Sequence, residues 1–404
     1  MPREERPWFF EAILRRLEVG KPEIEKPMVA ALTCDGAGPA EWGRMITDVR
    51  RAVESPRLRA FRRFLNVSGG FKFLLDLRAN VITAQAQSGL DLQPLDEELS
   101  HLFNSWFQGG FLFLQEISRD SSFRQIRFLK EHDMVHPMAS LDEIWHRLGR
   151  DRRCFALYHR AMPEEPVVFI ESALTRGMPR SIDDILRGEQ DPAGRKRRPD
   201  TVAFYSINNT QDGLAGLGLG TVMIAEVVEA IRKVEPGIKT FCTLSPIPGF
   251  WRRYLEPLLE GQERPVRMTG KRLWDFFPEN VRAELLAGFA RLFGRRETSP
   301  ARALVEILSN PRWISDSGLA GALRWPLCEI AYFYLKQERD RQGKRLNPVA
   351  NFHMGNGATV SLLNIHFAAN RSERGLMDSC GLMVNYVYPM GRLHRLGRRL
   401  RSLL

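Results

Sequence analysis

Residues 201–250 read TVAFYSINNTQDGLAGLGLGTVMIAEVVEAIRKVEPGIKTFCTLSPIPGF, and the fold turns on their order. Thr201–Ile207 is β-branched and aromatic, the composition of a strand. Asn208 to Gly220 is a glycine-rich loop. From Thr221 to Val234, Ile224, Val227, Val228, Ile231 and Val234 fall on one helical face, and Pro236-Gly237 stops the helix. Ile238–Leu244 is strand-like again and ends at Ser245-Pro246-Ile247-Pro248-Gly249. Strand, glycine loop, helix, strand is a crossover unit. In open α/β sheets ligands bind at the carboxyl edge, where this loop lies.

The loop excludes two familiar chemistries. It has no lysine before Thr221, so it is not the Walker loop of a nucleoside triphosphatase. Gly216 and Gly218 start a dinucleotide fingerprint, but Thr221 stands at its third glycine and no acid ends the next strand. What remains is a run of backbone N–H groups, from Ala215, Gly216, Leu217, Gly218, Leu219 and Gly220 to Thr221, opening onto a helix N-terminus. Such a run suits a pyrophosphate. The same glycines equally suit close packing of helix on sheet, and spacing alone leaves both readings open.

Two further residues carry possible chemistry. Ser245 ends a strand before a proline; it reads either as an N-cap with Pro246 in the first turn or as a hydroxyl aimed by the neighbouring prolines. No G-x-S-x-G pattern surrounds it. His353 lies in Asn347-Pro348-Val349-Ala350-Asn351-Phe352-His353, ahead of Ala358–Ile365, which reads as a strand. A lone histidine there is ordinarily a structural hydrogen-bonder. His132 and His136 stand four apart but lack the glutamate of H-E-x-x-H, and Pro137 follows at once, so no metal is assigned.

Outward from this centre, Pro7 to about Ile117 reads mostly as helix. Leu14 and Leu17, then Val49, Ala52 and Val53, recur at the spacing of a buried face. Gly69-Gly70 interrupts the pattern and Phe71, Leu74, Leu75, Arg78 and Val81 restart it. Phe61, Phe64, Phe71 and Phe73 read as core rather than as a base-stacking platform. The polar stretch Ser118 to Ser122 is the expected boundary, giving a helical domain over 1–120 and a second domain over 121–404. Cys154–Tyr158 and Val167–Glu171 read as neighbouring strands. Arg195-Lys196-Arg197-Arg198 reads as a solvated loop, with a nucleic-acid signal as the lesser reading.

Composition narrows the class. The 404 residues carry 59 Lys and Arg against 48 Asp and Glu, a net charge of +11, which favours an anionic partner. The five cysteines (Cys34, Cys154, Cys242, Cys328, Cys380) are odd in number and scattered, so a reducing, cytoplasmic setting without disulfides or zinc is expected. Met1-Pro2-Arg3-Glu4-Glu5 shows no secretory or transit pattern. The longest run free of charge, Leu346 to Asn370, is too polar to cross a membrane.

Phe204-Tyr205-Ser206-Ile207 with the glycine loop, Leu244-Ser245-Pro246-Ile247-Pro248-Gly249-Phe250, and Asn347-Pro348-Val349-Ala350-Asn351-Phe352-His353 together resemble the malonyl-CoA decarboxylase family. Ser379-Cys380-Gly381-Leu382-Met383-Val384-Asn385-Tyr386, and Gly69-Gly70 with Phe73-Leu74 and Leu77-Arg78-Ala79, extend the likeness along nearly the whole chain. The resemblance implies an α+β protein: an N-terminal all-helical domain followed by a GNAT-like (acyl-CoA N-acyltransferase-like) mixed α/β catalytic domain. It implies malonyl-CoA as the partner, coenzyme A held by Ala215 to Thr221, Ser245 and His353 as the catalytic pair, and no separate cofactor. Neither nucleic acid nor membrane is expected as a partner; a homo-oligomer is.

The chain departs from the family at two places. Gly218 stands where animal members carry a glutamate, so any role of that carboxylate is absent or moved. The ending Pro389 to Leu404 is short and basic, which implies an altered or missing C-terminal element, and Ser402-Leu403-Leu404 is not the peroxisomal S-K-L signal. The competing expectations are an acyl-CoA-dependent acyltransferase of the same fold and a non-catalytic basic binding protein.

Overall fold

The computed structural model describes residues 5–391, apart from Gln108, Met134, His136, Pro137, Ala139, residues 187–197 and Glu263. His136 of the spaced histidine pair, Arg195-Lys196-Arg197 and most of the basic ending thus lie outside the described residues.

Six helices open the chain: α1 (Arg6–Arg16), α2 (Lys21–Thr33), α3 (Pro39–Val53), α4 (Pro56–Phe64), α5 (Gly70–Ser88) and α6 (Gln93–Trp106). Gly69, left-handed at φ 75°, caps α5 at the expected interruption. The buried face expected for Val49, Ala52 and Val53 is corrected: α3 buries no residue, because it packs beside α2 rather than on the main core. Phe61 and Phe71 are core, whereas Phe64 and Phe73 stack on each other at the surface with ring centroids 4.9 Å apart.

Helix does not continue to Ile117. Leu112–Ile117 is strand β1, which pairs antiparallel with β2 (Arg152–His159), so the sheet begins inside the stretch expected to be helical. The pairing partner, not local propensity, decides this segment. β2 pairs with β3 (Met162–Thr175), and β3 with β4 (Thr201–Asn209), all antiparallel. The glycine loop then leads into α7 (Leu219–Val234), which returns the chain to β5 (Thr240–Thr243), parallel to β4. The helical half and this mixed sheet make up the expected α+β architecture. On α7, Ile224, Val227, Val228 and Ile231 are buried as their spacing requires, while Val234 in the last turn is exposed.

After β5 the chain turns at β6 (Ser245–Pro246), then builds a helical layer from α8 (Glu279–Phe293), α9 (Pro300–Leu308) and α10 (Ser317–Gln337). A short helix, α11 (Pro348–Gly355), precedes β7 (Ile365–His366), β8 (Met383–Val384) and β9 (Val387–Tyr388). β6, β8 and β7 form a small second sheet, and β9 closes the edge of the first beside β5. One hydrophobic core runs from Phe10 and Leu75 through Phe204 and Ile224 to Trp313, joining the helical half to the sheet. Among the described residues no helix is long and apolar enough to cross a membrane.

Candidate active site

Two irregularities open a cavity at the carboxyl edge of the sheet. Glu171 pairs with Ser206 while Ser172 pairs with Phe204, so Tyr205 is an extra residue, a β-bulge in β4. The bulge reverses the alternation: Val202 and Phe204 face the main core before it, and Ile207 does so after it. The parallel pairing of β4 with β5 ends at Phe204 and Thr243, beyond which β4 runs on to Asn209 while β5 veers into the second sheet. Between them lies a cavity of about 290 Å³ whose wall includes Phe204, Ser206, Gly220, Ser245, Phe352 and His353.

Ser245 is not a helix cap. It sits in β6 opposite Val384, and its Oγ–H donates to Thr243 Oγ1 at 2.9 Å. Ala358–Ile365 is not a strand either. Gly357 at φ 87° turns the chain, and the Asn364 side chain caps Ser361, leaving only β7 at its end. His353 stands on α11, whose N-cap Asn347 accepts from Ala350 N–H at 2.9 Å, with Pro348 in the first turn.

Ser245 and His353 are 108 residues apart in sequence, and the fold sets Ser245 Oγ 3.5 Å from His353 Nε2. That is long for a hydrogen bond and leaves the two atoms in close reach of each other. The other ring nitrogen, Nδ1, lies 2.8 Å from the Tyr388 hydroxyl, and the Tyr386 ring stacks on the imidazole with centroids 4.8 Å apart. Burial pushes the Tyr388 phenol well above its ordinary range and pushes His353 down to about 3. The imidazole is therefore neutral at neutral pH. Ser245 spends its own hydrogen on Thr243 and can accept from Nε2–H, an arrangement that goes with the tautomer in which Tyr388 O–H donates to Nδ1.

This depressed pKa is also a statement about stability. Between pH 6.5 and about 3 the unfolded chain takes up a proton at His353 that the native protein refuses, so stability falls as pH falls through that window. From pH 7 to pH 5 the loss due to this residue is expected to be about 2 kcal/mol. Chemical denaturation at the two pH values should show that part of the slope vanish in His353→Gln.

A charged cluster lies behind the wall. Ser206 Oγ donates to Asp133 Oδ1 at 2.9 Å, and Asn208 Nδ2 donates to the same oxygen at 3.1 Å. Arg147 pairs with Asp133 at 2.8 Å and reaches Glu171 at 3.4 Å. Burial and then Asp133 raise the Glu171 carboxyl well above its ordinary range, with Arg147 opposing them. Sequence reasoning singled out neither this cluster nor Thr243 and Tyr388. One signal was available for the cluster, a glutamate inside the largely apolar stretch Val167–Leu174.

The glycine loop serves two purposes. Of its seven singled-out residues, Gly220 alone lines the cavity, and a Cβ there would lie 2.3 Å from the Phe352 ring. Leu219 enters the core, while Ala215, Gly216 and Gly218 are exposed just ahead of α7. Gly216 and Gly218 take left-handed conformations, and Gly218 caps the helix. Thr221 O–H bonds Asn356, linking the start of α7 to the end of α11. Upstream, a Cβ on Gly213 would lie 2.1 Å from the Leu75 carbonyl oxygen, and Arg78 donates to Gly213 O at 2.6 Å, so α5 clamps the loop. All five cysteines are free. No cluster of three or more His, Cys, Asp or Glu suited to a metal occurs among the described residues.

The sequence model of the malonyl-CoA decarboxylase C-terminal domain matches residues 110–397, and that of the N-terminal domain matches residues 28–107. The chain belongs to the malonyl-CoA decarboxylase family. Within this family it is 34% identical over 339 residues to the mitochondrial malonyl-CoA decarboxylase of Anser anser anser, covering 83% of this chain and 64% of that protein. It is 35% identical to that of Rattus norvegicus, covering 82% of this chain and 65% of the relative. The chain thus spans just under two thirds of these curated relatives. Among crystal structures, the malonyl-CoA decarboxylase of Rhodopseudomonas palustris aligns with a TM-score of 0.76 at 29% identity, over 100% of this chain and 88% of that one. The Agrobacterium vitis enzyme aligns at 0.77 and 30% identity, over 99% and 88%.

Proposed function

We propose that the chain converts malonyl-CoA to acetyl-CoA and CO2. The observation that carries the reading is the meeting of Ser245 and His353 in one cavity beside the start of α7. In the reaction the bond between Cα and the carboxylate breaks, and its electron pair enters the thioester carbonyl as an enolate. CO2 leaves, and the enolate carbon takes one proton. The thioester is its own electron sink, so no cofactor beyond the coenzyme A of the substrate enters the proposal.

The protein's tasks are to hold the breaking bond out of the carbonyl plane, to stabilise the enolate and to supply the proton. In this reading the Ser245 hydroxyl orients the malonyl carboxylate. In the substrate complex the His353 imidazolium gives its Nε2 proton to carbon, is left as the neutral imidazole, and takes up one proton from solvent for the next turnover. The substrate's negative charge beside Nε2 favours the imidazolium and so opposes the effect of burial. Incubation with malonyl-CoA alone tests the reading: CO2 release without an added acceptor supports it, whereas turnover only with an acceptor indicates an acyltransferase.

Coenzyme A is assigned to the loop Ala215, Gly216, Leu217, Gly218, Leu219, Gly220 and Thr221, supported by exposed backbone at the N-terminus of a 16-residue helix. Gly216 is a poor place to test this, since at φ 81° any side chain strains the backbone whether or not ligand is present. Ala215 is exposed with φ −53°, so Ala215→Glu adds charge without strain. Calorimetry with free coenzyme A should show affinity about tenfold weaker in Ala215→Glu from like-charge repulsion. Equal affinity would remove the loop from the binding site.

The proposal keeps a reducing, cytoplasmic setting, supported by the five free cysteines. It also keeps self-association, supported by the exposed Met28, Val29, Leu32 and Trp42 on α2 and α3.

A further inference from the structure

A second and larger cavity, about 720 Å³, adjoins the first, and Pro348 lines both. Four arginines converge on it from separate segments. Arg253 follows the Pro248-Gly249 turn, Arg264 precedes Pro265, and Arg339 and Arg341 lie in a loop closed by the bridge between Arg339 and Arg345. None of the four forms an ion pair among the described residues.

Two carboxylates, Asp340 and Asp378, share this lining, so positive charge exceeds negative, and both are held by backbone donors. Asp378 accepts from Gly249 N–H at 2.8 Å, and Asp340 accepts from Gln342 and Lys344 N–H. Glu338 is fully buried and takes the Tyr254 hydroxyl and the amides of Arg267 and Met268. Burial lowers the Arg339 pKa, and the guanidinium groups of Arg345 and Arg267 lower it further, a sign of crowded positive charge. Like charges gathered around an open cavity repel unless an anion fills it. Guanidinium forks match phosphate oxygens in pairs, and the volume is that of a small-molecule site rather than of one lone ion.

We infer that the arginine-lined cavity is a second anion site, taking a phosphate-bearing small molecule separately from coenzyme A. Its occupant would lie against Pro348, in the first turn of the helix that carries His353, and so bear on the position of the imidazole. The effect on turnover rests on the decarboxylase reading; the binding does not.

Inorganic pyrophosphate is the probe, titrated calorimetrically into the full chain with and without saturating coenzyme A. The expected result is a binding event that survives saturating coenzyme A, apart from any at the glycine loop that coenzyme A displaces, and that weakens about tenfold or more in Arg341→Gln and in Arg339→Gln. Arg341 is exposed, so its variant keeps the fold, and a melting curve checks this. No binding by the unaltered protein, displacement of all binding by coenzyme A, or unchanged affinity in both variants would each overturn the proposal. Displacement would instead assign the phosphate to the nucleotide end of the substrate. Failure of the decarboxylase reading has a different signature, pyrophosphate binding intact with no CO2 released from malonyl-CoA.

Discussion

His353→Ala and Ser245→Ala should each lower kcat on malonyl-CoA by about a hundredfold or more, with affinity for free coenzyme A largely kept. The double variant should be little worse than the poorer single, because residues acting on one transition state lose activity together rather than additively. Each residue is held by groups outside the reaction, Ser245 by Thr243 and its pairing with Val384, His353 by Tyr388 and the Tyr386 ring. Removing either side chain should therefore leave the other in place. Turnover per folded molecule, read beside the melting curve, separates catalysis from packing. Were the two only structural, each variant would lose about 1 kcal/mol or more of stability and keep its turnover.

Gly220→Ala should damage fold and rate together. The added Cβ would lie 2.3 Å from Phe352 Cζ and 2.4 Å from Cε2, so the ring must move. Phe352 adjoins His353 on α11, and the two rings meet edge to face at 4.9 Å. Overpacking of this kind costs about 1–3 kcal/mol. Shifting the imidazole by a fraction of an ångström should also lower kcat about tenfold or more, since catalysis depends on near-attack geometry. Shortening the obstructing side chain gives the control: Phe352→Leu in the Gly220→Ala background should recover part of both losses. Wild-type stability and kcat in Gly220→Ala alone would show that the close approach of α7 and α11 is dispensable.

These variants also mark where sequence reading stopped. The crossover unit was legible because its signals are local: β-branched strands, a helix with one apolar face, and Pro236-Gly237 as its stop. The family was legible because its motifs are collinear and its Ser245 and His353 blocks are specific. In other segments pairing overrides composition. Leu112–Ile117 becomes a strand because β2 offers it an edge, and Ala358–Ile365 fails to become one because Gly357 and the Ser361–Asn364 turn consume it.

By itself the sequence determined the helical first half, the strand–loop–helix–strand centre and, through resemblance, which serine and which histidine to watch. Tertiary structure alone decided that these two meet and that Tyr388 holds the far side of the imidazole. It also decided that Asp133 and Arg147 stand behind Ser206, and that one glycine of the loop faces the cavity while another fits beneath Leu75. The physical reason is range. Helical periodicity, turns and caps are settled over a few residues, whereas burial that drives an imidazole to about 3 and contact across 108 residues arise only when distant segments share one dry cavity.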